Sequence, residues 1–204
     1  MSDRVPCRDC GETILPATAA LTGGVCMACK QGIRKNIERA KVFYEEQKKP
    51  DPERDYWTAL VNRIYHTEAG YAGLAPAERT YYLGCVLNGE VYNGGLHQFY
   101  SNSAGDRYAD TVSALDELRA SNSLRILRRS CDLLFPGADA PPSDRARRFE
   151  VLPWWPDDPA APRPTWEVEL SQLDKEFWAD PDTLGDRLTR YGLDHGLFSP
   201  KPTT

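Results

Sequence analysis

Four cysteines near the amino terminus have the residue type and the spacing of a metal site. Cys7 and Cys10 form one C-x2-C pair, and Cys26 and Cys29 form a second pair after an interval of fifteen residues. Each pair presents two thiolates, and the interval lets the second pair fold back to complete a tetrahedron around one ion. The spacing therefore predicts one structural Zn2+ per chain, bound by these four cysteines.

Paired cysteines also occur in disulfides and in redox sites. Disulfides belong to exported proteins, and the segment Met1–Cys7 has no apolar signal core. A redox C-x-x-C needs one pair beside a βαβ pattern, which the sequence lacks. A catalytic zinc is disfavoured because four thiolates leave no open position for water.

No apolar stretch approaches the roughly 18 residues of a membrane span, so we expect a cytoplasmic protein that does not contact a membrane.

The remaining cysteines and the histidines do not predict an enzyme. Cys85 and Cys131 are isolated within apolar helical patterns and are interpreted as core residues. His66, His97 and His195 are far apart in sequence, and none lies in a recognised acid–base or metal pattern. His97 lies in a polar turn and is interpreted as a satisfied, partly exposed histidine. The sequence also lacks the common nucleotide-binding and hydrolase motifs.

The most distinctive stretch of the chain runs from Asn88 to Gly105 and reads NGEVYNGGLHQFYSNSAG. A double glycine between amides predicts the end of one helix, a turn and a second short helix. We expect one of the two glycines to adopt a positive φ and the preceding asparagine to hydrogen-bond the turn backbone. The residues predicted to build this turn are Asn93, Gly94, Gly95, Gln98, Phe99 and Asn102.

The pattern V-Y-N-G-G-x-x-Q-F-x-x-N-S-x-G, followed by a predicted helix over 108–120, resembles a family of bacterial DNA-mimic domains first named in a neisserial protein. The resemblance covers about residues 55–185, and its specific motif is confined to 91–105. It implies an acidic, all-helical domain, a dimer in the named example, that imitates DNA phosphates on the DNA-binding face of a transcription factor. It implies no catalytic residue. The four-cysteine module lies outside this domain and resembles small zinc knuckles of bacterial helper proteins.

Apolar periodicity predicts that helices position these residues. The chain has 204 residues, of which 41% are apolar, as in globular proteins. The fold class predicted is all-α, with an acidic, bundle-like domain of several helices after a small zinc-ribbon-like module. The predicted domains are a zinc module over 1–30, a connector helix and linker over 31–50, and a DNA-mimic-like helical domain over 51–198.

Charge is distributed unevenly along the chain. Residues 1–50 contain nine basic and six acidic residues, or +3, so the net charge of −5 leaves −8 on residues 51–204. Within that body, 119–148 has seven arginines against three acids, whereas 150–186 has ten acids against two bases. The acidic segment is either a solvated helix face or a binding surface.

The sequence 153–164 contains five prolines and two adjacent tryptophans. The tryptophans either pin this extended segment onto the helical core or form an anchor for a partner. On the second reading, the predicted partner contacts are Trp154, Trp155, Asp174, Glu176 and Asp180.

Three functions are compatible with these patterns. The first is a regulatory protein whose acidic helices bind a basic protein such as a transcription factor, and a homodimer is compatible with this function. The second is an immunity-type protein that neutralises a cognate toxin, because charge steering accelerates the capture of a basic nuclease. The third, ranked last, is nucleic-acid binding by the zinc module through Arg34, Lys35, Arg39 and Lys41.

Overall fold

In the computed structural model, the chain divides into two compact units, Met1–Asp51 and Pro52–Thr204. The structure describes residues 4–152 and 164–202. Within these ranges, every helix is too short or too polar to cross a membrane.

The first unit is small and has a short hairpin followed by helices. Its elements are β1 (Val5–Pro6), β2 (Thr13–Ile14), α1 (Pro16–Thr22), α2 (Met27–Lys30) and α3 (Arg34–Gln47). The two strands pair antiparallel. A helix is present within the predicted connector segment, as α3, and its role as a connector stays a prediction. The interval between the cysteine pairs was expected to be a loop, and it instead contains α1. A helix of seven residues is too short to give a clear apolar period.

In the described part of the second unit, all regular secondary structure is helical, as the predicted fold class requires. Its helices are α4 (Pro52–His66), α5 (Pro76–Ser101), α6 (Tyr108–Glu117), α7 (Ser121–Leu134), α8 (Arg145–Val151), α9 (Glu167–Trp178) and α10 (Leu184–Asp194). Two short 3-10 turns cover Gly70–Gly73 and Ser103–Arg107. The sequence did not predict α8, because its residues RARRFEV have no apolar stripe.

Helix α5 lies at the centre of this unit and contacts α6, α9 and α10. It is apolar on several sides because neighbours surround it, and Leu87, Val91, Leu96 and Phe99 are completely buried. Cys131 is buried as expected, and Cys85 packs against the same core while remaining partly exposed. Most of the stretch from Asn88 to Gly105, the glycine–amide motif, therefore lies on α5, the helix against which α6, α9 and α10 pack.

Candidate functional sites

The first candidate site is the cluster of four cysteines. The Sγ atoms of Cys7, Cys10, Cys26 and Cys29 all lie within 4.8 Å of one another, and those of Cys10 and Cys26 are 3.8 Å apart. A tetrahedral zinc with Zn–S bonds of about 2.3 Å places its sulfurs about 3.8 Å apart. The spacing of the sulfurs therefore fits one tetrahedral ion.

Local backbone structure holds the two cysteine pairs in place. The first pair lies in the β1–β2 hairpin, where the amide of Cys7 donates to the carbonyl of Glu12 at 2.8 Å. The second begins at the N-cap of α2, where Cys26 Sγ accepts a hydrogen bond from the amide of Cys29 at 3.3 Å. The amide of Cys26 donates to Cys7 Sγ at 3.2 Å and so ties the pairs together. Such N–H···S bonds stabilise thiolates and orient them toward a metal.

Arg34 brings a positive charge to this cluster. Its Nη2 donates to Cys26 Sγ at 3.1 Å, and this bond, together with the amide of Cys29, lowers the pKa of Cys26 to about 6. Burial instead raises the pKa of Cys29 to about 12, so that thiol needs a cation beside it to ionise at neutral pH. Four thiolates on a Zn2+ ion would carry a net charge of −2, and the guanidinium would offset part of it.

Some of the basic residues predicted for nucleic-acid binding form hydrogen bonds and ion pairs within the first unit. Arg34 bonds to the cysteine cluster and to Glu38. Lys41 Nζ donates to Glu12 at 3.2 Å and to Glu38 at 3.3 Å. Two of the four predicted cations therefore have partners within the unit, which weakens the nucleic-acid hypothesis.

The second candidate site is the double glycine, which kinks α5. Gly95 has a φ of +74°, as expected for one of the pair, whereas Gly94 has a φ of −152°. The break deprives main-chain groups of their helical partners, and α9 supplies replacements. Trp178 Nε1 donates to the carbonyl of Val91 at 2.9 Å, and Asp174 Oδ1 accepts from the amide of Leu96 at 2.8 Å. Two residues one turn apart on α9 thus stabilise both sides of the kink.

This role corrects the expectation for Asp174, which was predicted to be an exposed partner contact. Its side chain is half-buried, and desolvation raises its pKa although the amide of Leu96 opposes the shift. A Cβ on Gly95 would lie 2.6 Å from Asp174 Oδ2, so the carboxylate packs directly against the glycine. The sequence did not reveal this because the partners are 78 positions apart.

The other predicted contacts also have internal partners or lie outside the described residues. Glu176 forms an ion pair with Arg125 at 3.1 Å. Asp180 Oδ1 accepts from the amide of Leu184 at 2.8 Å, at the start of α10. Trp154 and Trp155 lie outside the described residues. The arginines of α7 and the acids of α9 therefore partly neutralise each other, as the pair between Arg129 and Glu169 at 3.1 Å also illustrates.

The amides of the motif converge on Glu90. Its Oε2 accepts from Gln98 Nε2 at 2.6 Å and from Asn102 Nδ2 at 2.9 Å, which links the two halves of the kinked helix. Asn93 is exposed, and the predicted bond from its side chain to the turn backbone is absent from the described part of the chain. That expectation was wrong because α9 already satisfies the kink. Sequence reasoning missed Glu90, although it lies within the stretch from Asn88 to Gly105.

Arg148 is fully buried and contacts the carboxyl-terminal end of the motif. Its Nε donates to the carbonyl of Tyr100 at 2.7 Å, and its Nη2 donates to the carbonyl of Asn102 at 3.1 Å and to Asp106. A Cβ on Gly105 would lie 3.0 Å from Arg148 Nε, which explains the final glycine of the motif. In the sequence this residue is one of seven arginines in a basic run, and no local pattern distinguishes it.

His97 has the satisfied, partly exposed environment expected from the sequence. Its ring stacks on Trp166 with the centroids 6.0 Å apart, and its Nδ1 lies 3.3 Å from Ser101 Oγ. Burial lowers its pKa, which favours the neutral ring.

Comparison with known proteins places most of this helical unit in a family. A family model described as DMP19-like protein matches residues 72–195, which is more than half of the chain and includes the whole glycine–amide motif. Searches of curated proteins and of solved structures found no match to the chain.

Proposed function

Since the chain belongs to the DMP19-like protein family, we propose that its helical body binds a basic, DNA-binding protein and acts as a DNA mimic. The family match over 72–195, with the complete glycine–amide motif inside it, carries this proposal. The charge of −8 on residues 51–204 supports it, because attraction between opposite charges accelerates association. The motif residues serve the fold in this proposal, and the protein is not an enzyme.

The proposed mimic surface uses the exposed acids of the body that have no cation within ion-pairing distance among the described residues. These acids include Asp110, Asp116, Glu150, Asp186 and Asp194. The proposed contact surface also includes Trp154, Trp155, Glu176 and Asp180. It excludes Asp174, because that side chain stabilises the kink.

Competition with DNA tests this function directly. The tagged full-length chain is crosslinked in its native host, the bound protein is identified and purified, and binding is measured with and without duplex DNA. We expect duplex DNA to displace the chain and the association rate to fall at least tenfold between low and high salt. A purified partner that binds no DNA, or that duplex DNA does not displace, would contradict mimicry. If that partner were a secreted toxin, the immunity-type function would replace DNA mimicry as the function of this protein.

We also propose that Cys7, Cys10, Cys26 and Cys29 bind one structural Zn2+ per chain. The cross-link between the hairpin and α2 would supply folding free energy to a unit too small to build a sufficient apolar core. The spacing of the sulfurs and the N–H···S bonds support this assignment. Zinc copurification at one equivalent, measured by elemental analysis, tests it, and metal-free protein with an intact first unit would contradict it. Reduced thiolates also fit a cytoplasmic location.

A further inference from the structure

A cleft of about 270 Å3 opens between α4, α5 and the 3-10 turn that follows α5. Its volume is below the roughly 300–1,000 Å3 of most small-molecule sites, so it suits a ligand the size of one long side chain. The residues of its lining that bear on recognition are Tyr65, Tyr71, Tyr82, Glu90, Asp106 and Arg107.

The tyrosines give the cleft an aromatic wall. The hydroxyl oxygens of Tyr65 and Tyr82 are 3.3 Å apart, and burial raises the pKa of Tyr82, so its phenol is neutral. The Tyr65 side chain is 64% exposed, which leaves its ring accessible. On the same wall, the guanidinium carbon of Arg107 lies 3.5 Å from the centroid of the Tyr71 ring. The wall therefore already accepts one guanidinium by cation–π contact.

Glu90 supplies a fixed carboxylate to this wall. Its Oε2 takes both hydrogen bonds from Gln98 and Asn102, and no donor among the described residues reaches its Oε1. The amides of the glycine–amide motif thus hold Glu90 in position at the cleft. Asp106 is also in the lining, but it is ion-paired with Arg148. Glu90 is therefore the carboxylate of the lining that has no cation within ion-pairing distance among the described residues, and it remains available to a cation from outside.

We propose that this cleft receives one cationic side chain, a guanidinium or an ammonium, from the protein partner. Glu90 Oε1 is the ion-pair acceptor, and the ring of Tyr65 is the cation–π face. This inference rests on the proposed function and deepens it, because it gives a basic partner a point of anchorage on a body in which two acids of α9, Glu169 and Glu176, are already ion-paired. It also explains why a motif that builds a helix kink contains two amides directed at one carboxylate.

Binding of a short peptide to the full-length protein tests the cleft without any partner. The probe is acetyl-Gly-Gly-Arg-Gly-Gly-amide, and its control replaces arginine with citrulline, which has nearly the same shape but no charge. We expect the arginine peptide to shift the NMR resonances of Tyr65, Tyr82 and Thr111 and to bind at least fivefold more tightly than the citrulline peptide. Equal binding of the two peptides, or shifts confined to residues outside the cleft, would overturn the proposal.

Two variants test whether the charge of Glu90 is responsible for binding the arginine peptide. Glu90→Gln keeps an acceptor for the two amides and is expected to weaken arginine-peptide binding at least fivefold, whereas Asp55→Asn removes one charge from an exposed site outside the cleft lining and leaves binding unchanged. Tyr65→Ala, at an exposed position, is a second variant should Glu90→Gln fail to fold, and it is expected to weaken binding at least threefold. Equal losses in Glu90→Gln and Asp55→Asn would contradict the cleft and indicate general charge attraction.

Further measurements separate this inference from the proposed function. Tighter binding of spermidine than of the arginine peptide would overturn a protein side chain as the occupant. A partner that duplex DNA displaces, but that binds wild type and Glu90→Gln equally, would overturn the cleft and leave DNA mimicry intact. Cleft-specific peptide binding with a partner that DNA does not displace would contradict mimicry alone.

Discussion

At the scale of single residues, the most consequential side chain is a buried arginine. Arg148 has no solvent exposure, and its donors reach the carbonyls of Tyr100, Asn102, Pro142 and Ser143. The carbonyls of Tyr100 and Asn102 lie at the carboxyl end of α5, where a helix leaves acceptors without partners, and those of Pro142 and Ser143 precede α8. The guanidinium therefore closes the carboxyl end of the central helix and fixes the turn that lines the cleft.

Replacing Arg148 tests this role. Arg148→Met keeps a long side chain but removes every donor, so buried carbonyls lose their partners and the free energy of unfolding should fall by about 3–5 kcal/mol. Arg147→Met, its exposed neighbour on α8, should change it by no more than about 0.5 kcal/mol. Urea denaturation followed by circular dichroism measures both, and similar losses in the two variants would rule out a special role for Arg148.

A second residue-scale prediction concerns pH. Asp182 is buried and accepts hydrogen bonds from the amide of Ser123 at 2.6 Å and from Asn122 Nδ2 at 3.0 Å, at the start of α7. Burial opposes ionisation, but these bonds together lower the pKa of Asp182 below its ordinary value of 3.8. Its stabilising contribution is therefore complete above that value and is lost as the pH falls through the folded-state pKa.

The free energies of unfolding of wild type and Asp182→Asn should accordingly differ most near pH 6 and converge as the pH falls below 3.8. Unfolding in urea at a series of pH values measures the difference. Asp186→Asn, on the exposed first turn of α10, is the control and should not reproduce the convergence. A difference that stayed constant with pH would show that the lost contacts do not depend on the charge of Asp182.

At the scale of elements, the two glycines of the kink are not equivalent. Gly95 needs a positive φ, and a Cβ there would press on the Asp174 carboxylate. Gly94 has an extended φ, and its Cβ would meet chiefly the movable end of Gln98. Gly95→Ala should therefore lower the free energy of unfolding by about 2 kcal/mol or more, and Gly94→Ala by less than half as much. Equal effects in thermal or urea denaturation would contradict this assignment of the kink.

At the scale of the whole molecule, metal removal should separate the two units. All five tryptophans lie in residues 57–178, so their fluorescence reports only on the second unit. We expect a chelator, or Cys26→Ser, to reduce helical circular dichroism as the first unit unfolds and to leave tryptophan emission nearly unchanged. Cys85→Ala is the control and should retain one equivalent of zinc. A tryptophan emission shift that accompanied metal loss would show that the body depends on the metal.

The sequence by itself determined the features that depend on near neighbours in the chain. The C-x2-C pairs identify a set of cysteines that the fold brings together, the apolar period locates most helices, and the glycine–amide motif identifies the family that the comparison finds. Each signal is contained in a few consecutive turns, because thiolate pairs, helix faces and tight turns all act over short stretches of backbone.

Only the tertiary structure decided which polar groups meet. Asp174 was predicted to face a partner and instead accepts the amide of Leu96, and Arg125 neutralises Glu176. Arg148 was one cation in a basic run and instead bonds to carbonyls more than 40 positions away. A charge has the same appearance in a sequence whether water, an ion pair or a helix end satisfies it. The choice is made by packing, because a buried polar group must find a partner wherever the fold places one.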